Sequence, residues 1–89
     1  MTTTSWGMTL VVATAGHVWA AQSVTYDGTF YHLHNARIIR RWGTDKGLNQ
    51  LVNGPTKDTV LDDPAPLVTV VAPAMIALIP CSEGKWPSW

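Results

Sequence analysis

Short runs of apolar and β-branched residues alternate with turn formers along the first third of the chain. Residues 8–14 and 17–24 are two such runs, and Ala15-Gly16 supplies a turn between them. Asp27-Gly28 then separates two β-prone runs, which is typical of a tight hairpin because glycine adopts the positive φ that such a turn requires. This part of the sequence predicts three antiparallel strands.

The run that returns from this hairpin, residues 30–42, is unusually long and has no cleanly apolar face. Tyr31 and Leu33 would share one side of a continuous strand with two polar positions, while Phe30 would share the other side with two histidines. We therefore expect a break or bulge near His34-Asn35, with one strand over residues 30–33 and another over 36–41.

The second half of the chain begins with turn formers. Residues 43–47 read as a loop, and residues 48–52 as one helical turn that stops at Asn53-Gly54, a pair suited to a left-handed cap. Residues 55–66 are predicted to form a loop with at most a short strand at 59–61. Two further apolar runs, residues 67–71 and 75–79, are predicted to be strands joined by Ala72-Pro73-Ala74.

Five or six short strands with at most one short helix predict a small, mostly β, single domain. We expect either a β-barrel or a strongly bent antiparallel sheet, since closure hides the edges that apolar strands leave open. The sequence divides into a flexible N-terminus over residues 1–7, a β domain over 8–81 and a C-terminal tail over 82–89. No partner for the tail is visible in the sequence.

Composition narrows the class of protein. The chain has 89 residues, of which 46% are hydrophobic and 13% charged, with a formal net charge of zero. A packed domain is therefore expected, and a long nucleic acid is disfavoured as a partner because it requires an excess of Lys and Arg. Cys81 is the only cysteine, which excludes an intrachain disulfide and suits a reducing cytoplasm. No apolar run reaches the length of a membrane helix.

Charge is nonetheless unevenly distributed, because four cationic residues lie within ten positions from Arg37 to Lys46. A local cationic patch on a neutral protein suits a small anionic ligand: arginine donates bidentately to phosphate, and a neighbouring tryptophan can stack on a base. Glycines beside them would allow close backbone approach. The predicted ligand-binding residues are Arg37, Arg40, Arg41, Trp42, Gly43, Thr44, Lys46, Thr56, Lys57 and Thr59.

The alternative for these residues is structural: the arginines face solvent from alternate strand positions, Trp42 belongs to the core, and the glycines form turns. Gly54-Pro55-Thr56-Lys57 is not a P-loop, because the first glycine and the spacing of that motif are missing. No serine lies in a nucleophile-elbow context. We predict no catalytic residue, no metal site and no cofactor.

Several segments together resemble a known family. They are residues 35–44 (NARIIRRWGT), 46–48 (KGL), 54–57 (GPTK), 59–62 (TVLD) and 76–81 (IALIPC). This string is similar to a family of short, uncharacterised proteins of bacteriophages and prophages, over roughly residues 10–81. The resemblance implies a phage origin and a host bacterial cytoplasm, and it brings no established activity. A weaker likeness in fold to small Sm-like barrels suggests a homo-oligomer assembled by strand pairing.

Three functions are open at this point. The first is a homo-oligomeric binding protein that sequesters a nucleotide second messenger of bacterial anti-phage immune signalling. The second is an interaction protein, acting on a host defence protein or in virion assembly, with tail residues Trp86 and Trp89 as contact points. The third is a small cyclic-nucleotide hydrolase that uses a histidine and an aspartate as acid and base.

Overall fold

A computed structural model describes residues 3–89 of the chain. Their fold is a seven-stranded antiparallel sheet, and the short helices among them are all of the 3₁₀ type. The prediction of a small, mostly β domain is confirmed. The strands are β1 (Thr4–Trp6), β2 (Thr9–Ala13), β3 (Val18–Tyr26), β4 (Phe30–Arg41), β5 (Val60–Leu61), β6 (Ala65–Val71) and β7 (Met75–Pro80), and the 3₁₀ helices are Thr14–Gly16, Leu48–Asn53 and Ala72–Ala74.

The long hairpin of β3 and β4 forms the middle of the sheet. On the outer side of β3 lie β1 and β2, which pair with its two halves, and β7 follows β2. On the outer side of β4 lie β6, which pairs with its first half, and β5, which pairs with its last residues. The strands β6 and β7 are therefore at opposite edges of the sheet.

The connection between β6 and β7 requires the sheet to bend. Four interstrand steps separate these strands, which would be about 19 Å in a flat sheet. The 3₁₀ helix Ala72–Ala74 that joins them rises only about 2 Å per residue. The ends of β6 and β7 that this helix joins must therefore lie close together, and the sheet is strongly bent.

A change of face in the central hairpin accompanies this bend. Ala21 and Val24 of β3, and their partners Ala36 and Leu33 of β4, all lie in one core cluster. Residues three apart on a regular strand face opposite sides, so both strands must switch face between these positions. Asn35, at the switch, has φ 49°. The predicted irregularity near His34-Asn35 is present, but β4 continues through it as one strand.

The bent sheet encloses an inner core. Its buried members come from β2, β3, β4 and β6, and partly buried residues of β1 and β7 pack against them. The buried residues of the inner core are Val11, Ala13, Ala21, Val24, Leu33, Ala36 and Val70.

A second cluster, the outer core, covers part of the opposite face. Leu51 of the second 3₁₀ helix and Trp86 of the tail are buried there, against Leu10 and Ile39 of the sheet. The indole N–H of Trp86 donates to the Leu51 carbonyl at 2.7 Å. The tail predicted to be without a partner is thus packed against the sheet.

The tail also satisfies the backbone at the change of face. The indole N–H of Trp89 donates to the Asn35 carbonyl at 2.7 Å, and the Gln22 side-chain amide donates to the Pro87 carbonyl at 3.3 Å. The carbonyl of Asn35, which is exposed, therefore has a hydrogen-bond partner from the tail.

The N-terminal segment also differs from the prediction, because the sequence predicted no strand before residue 8. Thr4–Trp6 pair with the end of β3, and Trp6 packs against the inner core. Residues 1 and 2 of the segment predicted to be flexible lie outside the described residues. Among residues 3–89, no helix has the length and apolarity needed to cross a membrane.

Replacement of Trp86 tests whether the tail is part of the fold. Trp86→Ala removes a side chain that is 9% exposed together with its hydrogen bond, so we expect a loss of about 3 kcal/mol in the free energy of unfolding, measured by urea denaturation. Trp42→Ala, at a side chain 42% exposed, is the matched control and should cost well under half of that. Equal losses would show that the tail adds no specific stability.

Candidate functional site

The loop that follows β4 is held against the loop that precedes β5 by two threonine hydroxyls. The Thr56 hydroxyl donates to the Gly43 carbonyl, and the Thr59 hydroxyl donates to the Trp42 carbonyl at 2.7 Å. The Thr56 N–H in turn donates to the Thr59 hydroxyl at 2.8 Å. Four of the predicted ligand-binding residues are therefore brought together, and they bind one another.

Gly43 is required by this arrangement. Its φ is +66°, and a Cβ atom at this position would lie 2.3 Å from the carbonyl carbon of Asp58 and 2.6 Å from the nitrogen of Thr59. Those atoms are backbone and cannot rotate away. The close approach that the sequence suggested for a ligand is thus made by another loop of the same chain.

Arg37 contacts Asp62 and the C-terminal tail. Its Nε donates to the Asp62 carbonyl, and its guanidinium lies over the Trp89 ring, 5.4 Å from the ring centroid. Arg37 therefore helps to hold the tail and the start of the loop after β5. These contacts give it a structural role that requires no ligand.

Arg40 is paired with the carboxylate of Asp62. Its Nε lies 2.9 Å from Oδ1 and 2.8 Å from Oδ2. The Arg40 side chain is 67% exposed and that of Asp62 is 35% exposed, so the pair contributes little to stability, as is usual for ion pairs in water.

The remaining predicted cations face solvent. Arg41, Lys46 and Lys57 are exposed, and the ion pairs found among residues 3–89 do not include them. The loop that carries Lys46 is shaped by Gln50, whose side-chain oxygen accepts the N–H groups of Asp45 and Lys46 at 3.1 and 3.0 Å. Three positive charges are therefore free at this end of the sheet.

Apolar surface lies beside these cations. Trp42 is 42% exposed, and Val60, which pairs with Arg41, is 47% exposed. The structural alternative that places Trp42 in the core is thus wrong, because this ring is 42% exposed whereas that of Trp86 is 9% exposed. Thr44, two residues after Trp42, is half-buried. We call Arg41, Trp42, Lys46 and Lys57 the cationic end.

The cationic end is a surface and not a cavity. No pocket is present among the described residues of the single chain. Small-molecule sites are usually concave and enclose most of the ligand. A ligand at the cationic end would therefore need a further wall, which a second copy of the chain can supply.

A separate polar group lies at the other end of β4, and the sequence reading did not assemble it. Asp27 Oδ2 lies 2.8 Å from His32 Nε2, and His32 Nδ1 lies 3.3 Å from the Thr69 hydroxyl. Asp27 Oδ1 also accepts the N–H groups of Thr29 and Phe30. The Asp27-Gly28 turn indicated the hairpin in the sequence, but the contact of His32 with Thr69 depends on the pairing of β4 with β6.

The position of the Asp27 and His32 pair argues against a hydrolase that combines these residues with the cationic end. His32 and Arg41 are nine residues apart on β4, a separation of at most about 30 Å. The Asp27 and His32 pair and the cationic end therefore lie at opposite ends of this strand. The Asp27 and His32 pair is explained by its role in closing the hairpin.

Substitution of Gly43 tests the loop contact. Gly43→Ala should lower the free energy of unfolding by about 3 kcal/mol, because it combines a positive φ with a backbone clash. Gly16→Ala is the matched control: Gly16 has φ +75° and open space around the added Cβ, so only about 1 kcal/mol is expected. Urea denaturation of both variants measures the difference, and similar losses would contradict the close approach.

The pH dependence of stability tests the Asp27 contacts. The hydrogen bond with His32, followed by those from Phe30 and Thr29, lowers the pKa of Asp27 from 3.8 to about 2. Stability from this group is therefore fully present above pH 4 and is lost as the pH falls towards 2. Asp27→Asn should weaken this acid dependence, whereas Asp45→Asn should not. Urea titrations at pH 5, 3 and 2 measure it, and an unchanged pH profile in Asp27→Asn would contradict the assignment.

Comparisons were made with protein-family models, curated proteins and solved structures, and none of the three finds a match to this chain. The residues and geometry described above are therefore the basis for proposing a function.

Proposed function

We propose that this is a phage-encoded homo-oligomer that binds a small anionic ligand, a nucleotide second messenger of bacterial anti-phage immune signalling, and sequesters it in the host cytoplasm. The observation that carries this proposal is the cationic end: three unpaired cations and an exposed tryptophan on a chain with no net charge. The resemblance to phage proteins supports the biological setting.

Each residue of the cationic end has a role in this proposal. Arg41 neutralises phosphate with a planar donor, and Lys46 and Lys57 add point charges from the two loops. Trp42 stacks on the base. The hydroxyls of Thr56 and Thr59 are already engaged with the backbone, so these two residues hold the loops in place instead of contacting the ligand.

The edges of the sheet support assembly into an oligomer. Both β6 and β7 are edge strands, and residues 64–81 contain no charged side chain. Natural edge strands are usually protected by charge, by bulges or by a covering segment. Leu67, Val71 and Ile76 on these strands are 54%, 50% and 64% exposed. Pairing between copies would cover them, and a neighbouring copy would provide the wall that the cationic end lacks.

Native mass spectrometry of the protein purified from bacterial cells tests the proposal. We expect an integral oligomer with an added mass that is released intact, as a nucleotide, after heat denaturation. The same measurement on the apo protein incubated with a panel of mononucleotides and cyclic nucleotides gives the ligand class and stoichiometry.

Variants connect the bound mass to the site. Trp42→Ala should weaken ligand affinity roughly five- to 150-fold, since stacking contributes roughly 1–3 kcal/mol per base. Arg41→Ala should also weaken it, because it removes a donor to phosphate. Phe30→Ala and Lys85→Ala, exposed residues outside the cationic end, are matched controls and should retain it. An oligomer that carries no adduct after the full panel would instead favour a protein partner, and a ligand returned in cleaved form would favour a hydrolase.

A further inference from the structure

We infer that the Asp62 carboxylate occupies the phosphate position on Arg40 and competes there with the ligand. This inference rests on the proposed function, because Arg40 directly precedes Arg41 of the cationic end and is treated as a further phosphate donor beside it. Arg40 was predicted to hold a phosphate, and the structure gives it a carboxylate instead.

Asp62 is fixed by its backbone on both sides. Its N–H donates to the Ile38 carbonyl at 2.9 Å, and its carbonyl accepts the Nε of Arg37. The residue directly follows β5, so its backbone position is set by pairing with β4. The carboxylate is therefore presented at a constant place beside Arg40 and does not depend on a flexible loop.

The geometry at Arg40 is that of an arginine binding an oxyanion. Both carboxylate oxygens lie within 2.9 Å of Nε and share its single N–H, so they occupy a donor from which a phosphate oxygen would otherwise accept. The side chain of Arg40 is 67% exposed, and an anion from solvent can reach the guanidinium. The Nε–H can serve only one anion at a time, so a phosphate can bind through this donor only when Asp62 is displaced.

Displacement is energetically accessible. An exposed pair of this kind contributes only about 0.2–1 kcal/mol, which corresponds to a factor of about five at most. A ligand with several phosphate charges can exceed that contribution through the free cations of the cationic end. Asp62 thereby discriminates against weakly charged anions and sets a minimum charge for a ligand.

Asp63 provides a matched control, because it is the neighbouring carboxylate, is exposed and makes no hydrogen bond among the described residues. With inorganic pyrophosphate as the probe, isothermal titration calorimetry at low ionic strength should show binding two- to fivefold tighter in Asp62→Asn than in the unmodified protein. Asp63→Asn should change the affinity less than 1.5-fold. Added salt should reduce the difference, since the competing charges are exposed.

A double substitution separates competition from a general effect of charge. In the Arg40→Gln background, Asp62→Asn should no longer change pyrophosphate affinity. Equal tightening by Asp62→Asn and Asp63→Asn, weaker binding in Asp62→Asn, or no pyrophosphate binding in any variant would overturn the inference. The proposed function fails separately, when native mass spectrometry finds no nucleotide or when Arg41→Ala and Trp42→Ala leave its binding unchanged.

Discussion

The change of face that β3 and β4 make together is the constraint on which the rest of this structure depends. It keeps Val24 and Leu33 in the same core as Ala21 and Ala36, although the spacing of these residues would place them on opposite sides of a regular sheet. It also accompanies the bend that lets a three-residue helix connect the two edges of the sheet. The backbone is irregular at Asn35, whose carbonyl accepts a hydrogen bond from a donor outside the β-ladder.

The C-terminal tail supplies that donor, which explains why its tryptophans pack against the sheet. A domain of 89 residues buries a smaller fraction of its surface than a larger domain does, so the apolar contacts of the tail add to a limited core. Trp86 completes the outer core with Leu51, while Trp89 covers the irregular position and carries the guanidinium of Arg37. These two rings are in contact with the sheet. Trp42 is more exposed than they are, and its ring is therefore the more accessible to a ligand or partner.

The same packing sorts the predicted site into supporting and available groups. Gly43, Thr56 and Thr59 join two loops, and Arg37 and Arg40 are engaged by Asp62. What remains open to solvent is a compact set of positive charges beside an aromatic ring, at one end of β4. The hairpin end of that strand carries the Asp27 and His32 contacts. The length of the strand separates these contacts from the cationic end.

The sequence by itself determined most of the local structure: the strands other than β1, the Asp27-Gly28 hairpin, the helical turn before Gly54 and the irregularity near Asn35. Such features follow from residue preferences over a few positions, which act before distant segments meet. Only the tertiary structure decided that the tail is a layer of the core, that Arg40 faces Asp62 and that His32 reaches Thr69. Those contacts join residues far apart in the chain, and their existence depends on sheet order and curvature, which local patterns do not encode.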